Sequence, residues 1–236
     1  MKKTFIIITF LSILPFLANA THSEVRKLEH FTKIDFEGYG ELVLIKGDAP
    51  SVELETNGHR RSLRQVFTEV KNETLYIDQD FDRRYDWYEF RRHDMYVTLY
   101  VTYVNLESID LEGKINVITD NPIQVNHFDM DIEGFITGDL EFDVNELSID
   151  SEGFVHLDIF GKTVQLDIEH EGIGRIDALD LESETCIAAV EGKATFYVNA
   201  TSELIADSSG FSKIMYRGRP DKLDIDRSTF SRVRRY

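Results

Sequence analysis

Cysteine, proline and tryptophan are scarce in this chain, and each scarcity excludes something. Cys186 is the only cysteine, so no intrachain disulfide, Cys-x-x-Cys redox pair or thiolate zinc cluster can form. Four prolines and the lack of any Gly/Ser-rich linker argue against a flexible domain boundary. The seven histidines are scattered without zinc-ligand spacing, and there is no P-loop, Gly-x-Ser-x-Gly or His-Glu-x-x-His motif. No cofactor, metal or catalytic residue is therefore expected. Positive charge is also short: 26 Lys and Arg against 43 Asp and Glu give a formal charge of −17. Such acidity opposes binding to nucleic acid and to anionic membrane surfaces. Beyond residue 20 no apolar run is long enough for a transmembrane segment.

What the chain does have is repetition. LESIDLEG, HFDMDIEG, ELSIDSEG, QLDIEHEG, TCIAAVEG and ELIADSSG end at Gly113, Gly134, Gly153, Gly172, Gly192 and Gly210, and KLDIDRST ends at Thr229. The spacings are 21, 19, 19, 20, 18 and 19 residues. A fixed period near 20 with a turn residue at a fixed place marks a repeat architecture. Four before each turn residue stand Ile109, Met130, Ile149, Ile168, Ala188, Ala206 and Ile225, and six before stand Glu107, Phe128, Leu147, Leu166, Cys186, Leu204 and Leu223. Between them, three before, the residue is Asp or Glu in six of seven repeats. This alternation describes a half-buried strand, and the glycine supplies the turn. A second apolar alternation follows each turn, as in FVHLDIFG and FSKIMYRG, with Gly161 and Gly218 marking turns at the far side. The reading is an all-β, single-domain β-solenoid whose coils of about 20 residues stack into one core. An antiparallel sandwich of repeated hairpins is the alternative.

Residues 1–20 read as a secretory signal peptide, with Lys2 and Lys3, an apolar run and the small-x-small site Ala18-Asn19-Ala20. The expectation is an exported, soluble product, periplasmic or at the cell surface, comprising residues 21–236. Ile34 and Phe36 before Gly38, and Val52 and Leu54 before Gly58, read as two degenerate coils. TLYIDQD, from Thr74, reads as a further strand. FDRRYDWYEFRRHD, residues 81–94, breaks the pattern and reads as a loop inserted between coils. MYVTLYVTYVNL then resumes as a long strand.

Two features could carry binding. The insert interleaves Tyr85, Trp87, Tyr88 and Phe90 with Arg83, Arg84, Arg91 and Arg92. Arginine and aromatic residues are enriched at binding hot spots, and aromatic faces stack on sugar rings. Packing of the insert on the solenoid flank is the plainer reading. The other feature is the outward ladder of carboxylates, which serves as a solubilising face or meets cations or a basic partner. Neighbouring like charges at the roughly 4.8 Å strand spacing repel by about 1 kcal/mol even in bulk water. One carboxylate repeated in every coil fits a surface better than the differently tuned pair that acid–base catalysis needs. Cys186 and His170 fall at inward positions and read as core residues.

The Ile-Asp-Phe-Glu-Gly near the start, YVTLYVTYVNLESIDLEG and the recurrent acid–Gly turns resemble the bacterial putative auto-transporter adhesin family with its head GIN domain, over about residues 31–236. Members typically carry Ser-Gly-Ala-Ser turns, whereas here Glu-Gly is followed by Phe, Ile or Lys. The resemblance implies a pectin-lyase-like, right-handed parallel β-helix without catalytic residues and a role in adhesion; it provides no site residues. The expected function is an exported, non-catalytic binding or adhesion protein of a bacterial envelope, with about nine to eleven coils. Its partner would be a glycan or a surface protein. A polysaccharide-active enzyme and a purely structural envelope protein are the alternatives. The faces can be checked directly. Ile149→Asp should bury an unpaired charge and cost several kcal/mol or abolish folding, whereas Asp150→Asn should be neutral or slightly stabilising. Equal melting temperatures for the two variants would show the faces to be reversed.

Overall fold

The computed structural model describes residues 21–79 and 96–236; the expected signal peptide and the insert lie outside them. Among the described residues, every regular element except one short 3-10 turn, Ser62–Gln65, is a strand. The strands are β1 (His22–Lys27), β2 (Lys33–Lys46), β3 (Ser51–Thr56), β4 (Val66–Lys71), β5 (Thr74–Gln79), β6 (Val97–Tyr103), β7 (Ser108–Thr119), β8 (His127–Ser208), β9 (Lys213–Arg217), β10 (Lys222–Arg227) and β11 (Arg232–Arg235). All belong to one 11-stranded sheet.

The pairing of β2, β7 and the start of β8 is parallel and in the register that the repeat predicts. Ile34 faces Ile109, which faces Met130, and Gly38 faces Gly113, which faces Gly134. At 82 residues β8 is a ribbon rather than one straight strand, which would reach roughly 270 Å. Instead the chain returns over itself, so that Gly153 lies on Gly134, Gly172 on Gly153, Gly192 on Gly172 and Gly210 on Gly192. A Cβ on Gly153 would meet the Gly134 carbonyl oxygen at 2.5 Å, and one on Gly134 would meet the Gly113 oxygen at 2.4 Å. Their φ angles, 105° and 110°, lie where side chains are strained. Conformation and close stacking therefore both require glycine at this corner.

The core follows the two inward columns. Ile109, Met130, Ile149, Ile168 and Ala188 are buried, as are Phe128, Leu147, Leu166, Cys186 and Leu204. Burial pushes the Cys186 thiol up to about 12, so it stays protonated and packs as a small apolar side chain. His170 is buried too. Its Nδ1 lies 3.0 Å from Ser151 Oγ on the neighbouring coil, its Nε2 has no partner, and burial holds its pKa below the ordinary imidazole value.

The structure corrects two expectations. β3, with Val52 and Leu54, does not stack as a parallel coil; it pairs antiparallel with both β1 and β6, and Gly58 is outside the glycine column. β4 likewise pairs antiparallel with β5, so hairpin-like strands and the buried Leu63 close this end. β5 and β6 both pair parallel with β2, Phe36 facing Ile77 and Gly40 facing Val97; the insert, residues 81–94, lies outside the described residues. Finally, Leu223 and Ile225 are 47% and 37% exposed, because β10 is the last strand against β8 and nothing stacks beyond it. Periodicity gives the inward phase of a residue, but not whether a further coil covers it. Gly153→Ala is expected to lower stability by about 2–4 kcal/mol, through strain and displacement of the Gly134 carbonyl, while Glu152→Ala stays within about 0.5 kcal/mol. Urea unfolding of the two variants checks this.

Candidate binding site

Outward residues form rows across strands as regularly as inward ones do. One row crosses β3, β6, β2, β7 and β8: Glu55 faces Thr98, Thr98 faces Glu41, Glu41 faces Asn116 and Asn116 faces Thr137. Asn116 Nδ2 donates to Glu41 Oε2 at 3.0 Å, and Thr137 Oγ1 donates to Asn116 Oδ1 at 2.9 Å. Beside it runs a second row, in which Tyr39 faces Lys114 and Lys114 faces Phe135. The Lys114 ammonium lies 5.5 Å from the Tyr39 ring centroid and 5.4 Å from that of Phe135, and it has no ion pair among the described residues. Tyr39 meets Tyr96 edge-on at 5.4 Å, and Phe135 stacks on Phe154 at 4.3 Å.

All members of these rows except Glu41 line an open groove of about 760 Å³, together with Thr21, Asn57, Gly58, Tyr96 and Tyr100. That volume is typical of a small-molecule site. Burial, with Glu41 and Tyr39 nearby, pushes the Tyr96 phenol up to about 12. Burial first, then Glu55, Glu41 and Glu53, also raises Tyr100. Both phenols therefore stay neutral at physiological pH and can donate as well as accept hydrogen bonds.

The predicted site residues Arg83, Arg84, Tyr85, Trp87, Tyr88, Phe90, Arg91 and Arg92 lie outside the described residues. Their described flanks are at the groove. The Tyr39 N–H donates to Gln79 Oε1 at 2.7 Å, and Tyr96 packs on Tyr39. Sequence reasoning missed Tyr39, Tyr96, Tyr100, Lys114, Asn116, Phe135 and Thr137. A signal existed, since several of these stand one or three residues after a turn glycine, at outward phase. The same column continues with Ile173, Phe211 and Phe230, all exposed.

The acidic ladder is present as expected. Asp35 faces Asp110 and Asp110 faces Asp131. Burial chiefly, and then the neighbouring carboxylates, raise the pKa of each. Among the described residues, no group of three His, Cys, Asp or Glu comes together to hold a metal ion.

Fold and groove define an all-β scaffold that presents a solvent-open groove. The chain belongs to the family described as putative auto-transporter adhesin, head GIN domain, which matches residues 30–220. Its fold is similar to that of a putative adhesin from Bacteroides fragilis, with 18% identity, TM-score 0.78 and coverage of 92% of this chain and 97% of that one. A putative adhesin from Parabacteroides distasonis gives 16%, 0.71, 92% and 97% in the same order. A protein from the same species described as a putative lipid binding protein gives 17%, 0.66, 91% and 96%. No curated protein matches the sequence. No helix among the described residues is long and apolar enough to cross a membrane.

The raised carboxylates set a pH dependence. A folded-state pKa above the unfolded value means that the contribution to stability is fully present below the unfolded value and is lost as pH rises through the folded one. Asp110→Asn, fixed in the neutral form, should therefore raise the melting temperature by about 1–3 °C at neutral pH. The gain should shrink as pH falls through the carboxylate range and vanish below the ordinary Asp value of 3.8. Thermal scans of the two proteins across that range check it.

Proposed function

We propose that this chain is an exported, non-catalytic adhesion protein of a bacterial envelope, built as a β-solenoid and holding its ligand in the groove between Thr21 and Phe135. The observation that carries this reading is the groove itself. Half-buried tyrosines with neutral phenols, the exposed Phe135, threonine hydroxyls and amides converge on one concave surface of about 760 Å³. Membership of an adhesin family supports the same role. Against catalysis stands the chemistry of the lining. Glycoside hydrolysis normally takes two carboxyl groups flanking the bond, and among the described residues Glu55 is the only carboxylate that lines the groove.

The insert extends the groove in this reading. It joins the chain at Gln79 and Tyr96, and its aromatic and arginine side chains would add contacts at the rim. Replacing Arg83 to Arg92 by a short Gly/Ser turn is expected to leave the far-UV circular dichroism unchanged, because β5 and β6 are each held by β2. Adhesion of the mature chain to intact cells should weaken. Adhesion at wild-type strength in the folded deletion variant would remove the insert from the binding surface, and release of products from a polysaccharide panel would overturn the non-catalytic reading.

A further inference from the structure

The groove differs chemically from the molecule that carries it. The chain is 29% charged residues, yet of the fifteen described residues lining the groove only Glu55 and Lys114 carry charge. The rest include four threonines, three tyrosines and two asparagines. We propose that this surface takes an uncharged, hydroxyl-rich saccharide chain laid across the strands, an inference that rests on the groove being the adhesion site.

Three observations carry it. First, the polar groups of the lining are oriented by hydrogen bonds: Thr137 donates to Asn116 at 2.9 Å, and Asn116 donates to Glu41, outside the lining, at 3.0 Å. Groups oriented in this way meet hydroxyls that both donate and accept. Second, the row is flanked by aromatic side chains, which cover the apolar face of a ring while the polar row reaches its hydroxyl edge. Third, the row crosses five strands, roughly 19 Å at the usual strand spacing, which suits a short oligosaccharide better than a single ring.

Competing ligand classes fit less well. Among the described lining residues an anionic glycan or a nucleotide would meet one cation, Lys114, on a protein of formal charge −17. An acyl chain would cover Glu55, Asn116 and Thr137 and strip water from them without replacing its hydrogen bonds. The depletion of charge is what an uncharged ligand requires, because a desolvated unpaired charge in the lining would oppose its binding.

The test is calorimetric titration of the mature chain with neutral hexose and N-acetylhexosamine tetrasaccharides, and with uronate tetrasaccharides, at low and high salt. At least one neutral tetrasaccharide should bind, with affinity nearly independent of salt. Tyr100→Ala and Asn116→Ala should each weaken it about tenfold or more while the melting temperature stays near that of wild type. Binding confined to uronates and falling with salt, or no binding in either panel, would overturn the proposal. Adhesion to intact cells, measured on the same proteins, separates the two layers. Adhesion lost in Tyr100→Ala without saccharide binding keeps the groove and removes the ligand class. Adhesion unchanged in both variants removes the groove as the adhesion site.

Discussion

Close stacking of backbone on backbone at the glycine corner is the constraint on which the rest of this molecule depends. Each corner residue sits on the carbonyl of the one below, at a distance that leaves no room for a Cβ, and turns the chain through a positive φ. Because the corner fixes where each rung begins, the residues before and after it fall into register with those of the rung below. The facing of Ile109 by Met130 and of Asn116 by Thr137 are consequences of the same alignment. β5 and β6 both pair parallel with β2 in this same alignment.

Strict register multiplies whatever a column contains. Apolar columns become a continuous core in which each side chain packs between equivalents above and below. Acidic columns become ladders in which burial first, and then neighbouring carboxylates, raise the pKa of Asp110 and Asp131. The exposed aromatic column after the corner stacks on itself, as Phe135 does on Phe154 and Phe211 on Phe230. A groove arises where this regularity is interrupted. Lys114 separates Tyr39 from Phe135, and the antiparallel strands β3 and β1 adjoin the parallel rungs.

The two ends of the sheet solve the edge problem differently. Antiparallel strands and the short turn carrying Leu63 close the first end. At the other, β10 leaves Leu223 and Ile225 partly exposed, while β11 presents Arg232, Arg234 and Arg235. Charge on an edge strand discourages another chain from adding to it.

The sequence by itself determined the local periodicity: which residues turn the chain, which face inward from Ile109 to Ala206, and which form the acidic ladder. It could do so because period-2 alternation and a glycine at fixed spacing are local patterns, repeated often enough to be read without a partner strand. Tertiary structure decided everything that depends on what lies beside a strand. Val52 and Leu54 alternate like a coil, yet β3 runs antiparallel, since alternation is the same in both directions. Leu223 and Ile225 carry the inward phase, yet no further rung covers them. The groove is the clearest case. Glu55, Thr98, Glu41, Asn116 and Thr137 are scattered over more than eighty positions of sequence, and only the pairing of five strands places them in one row.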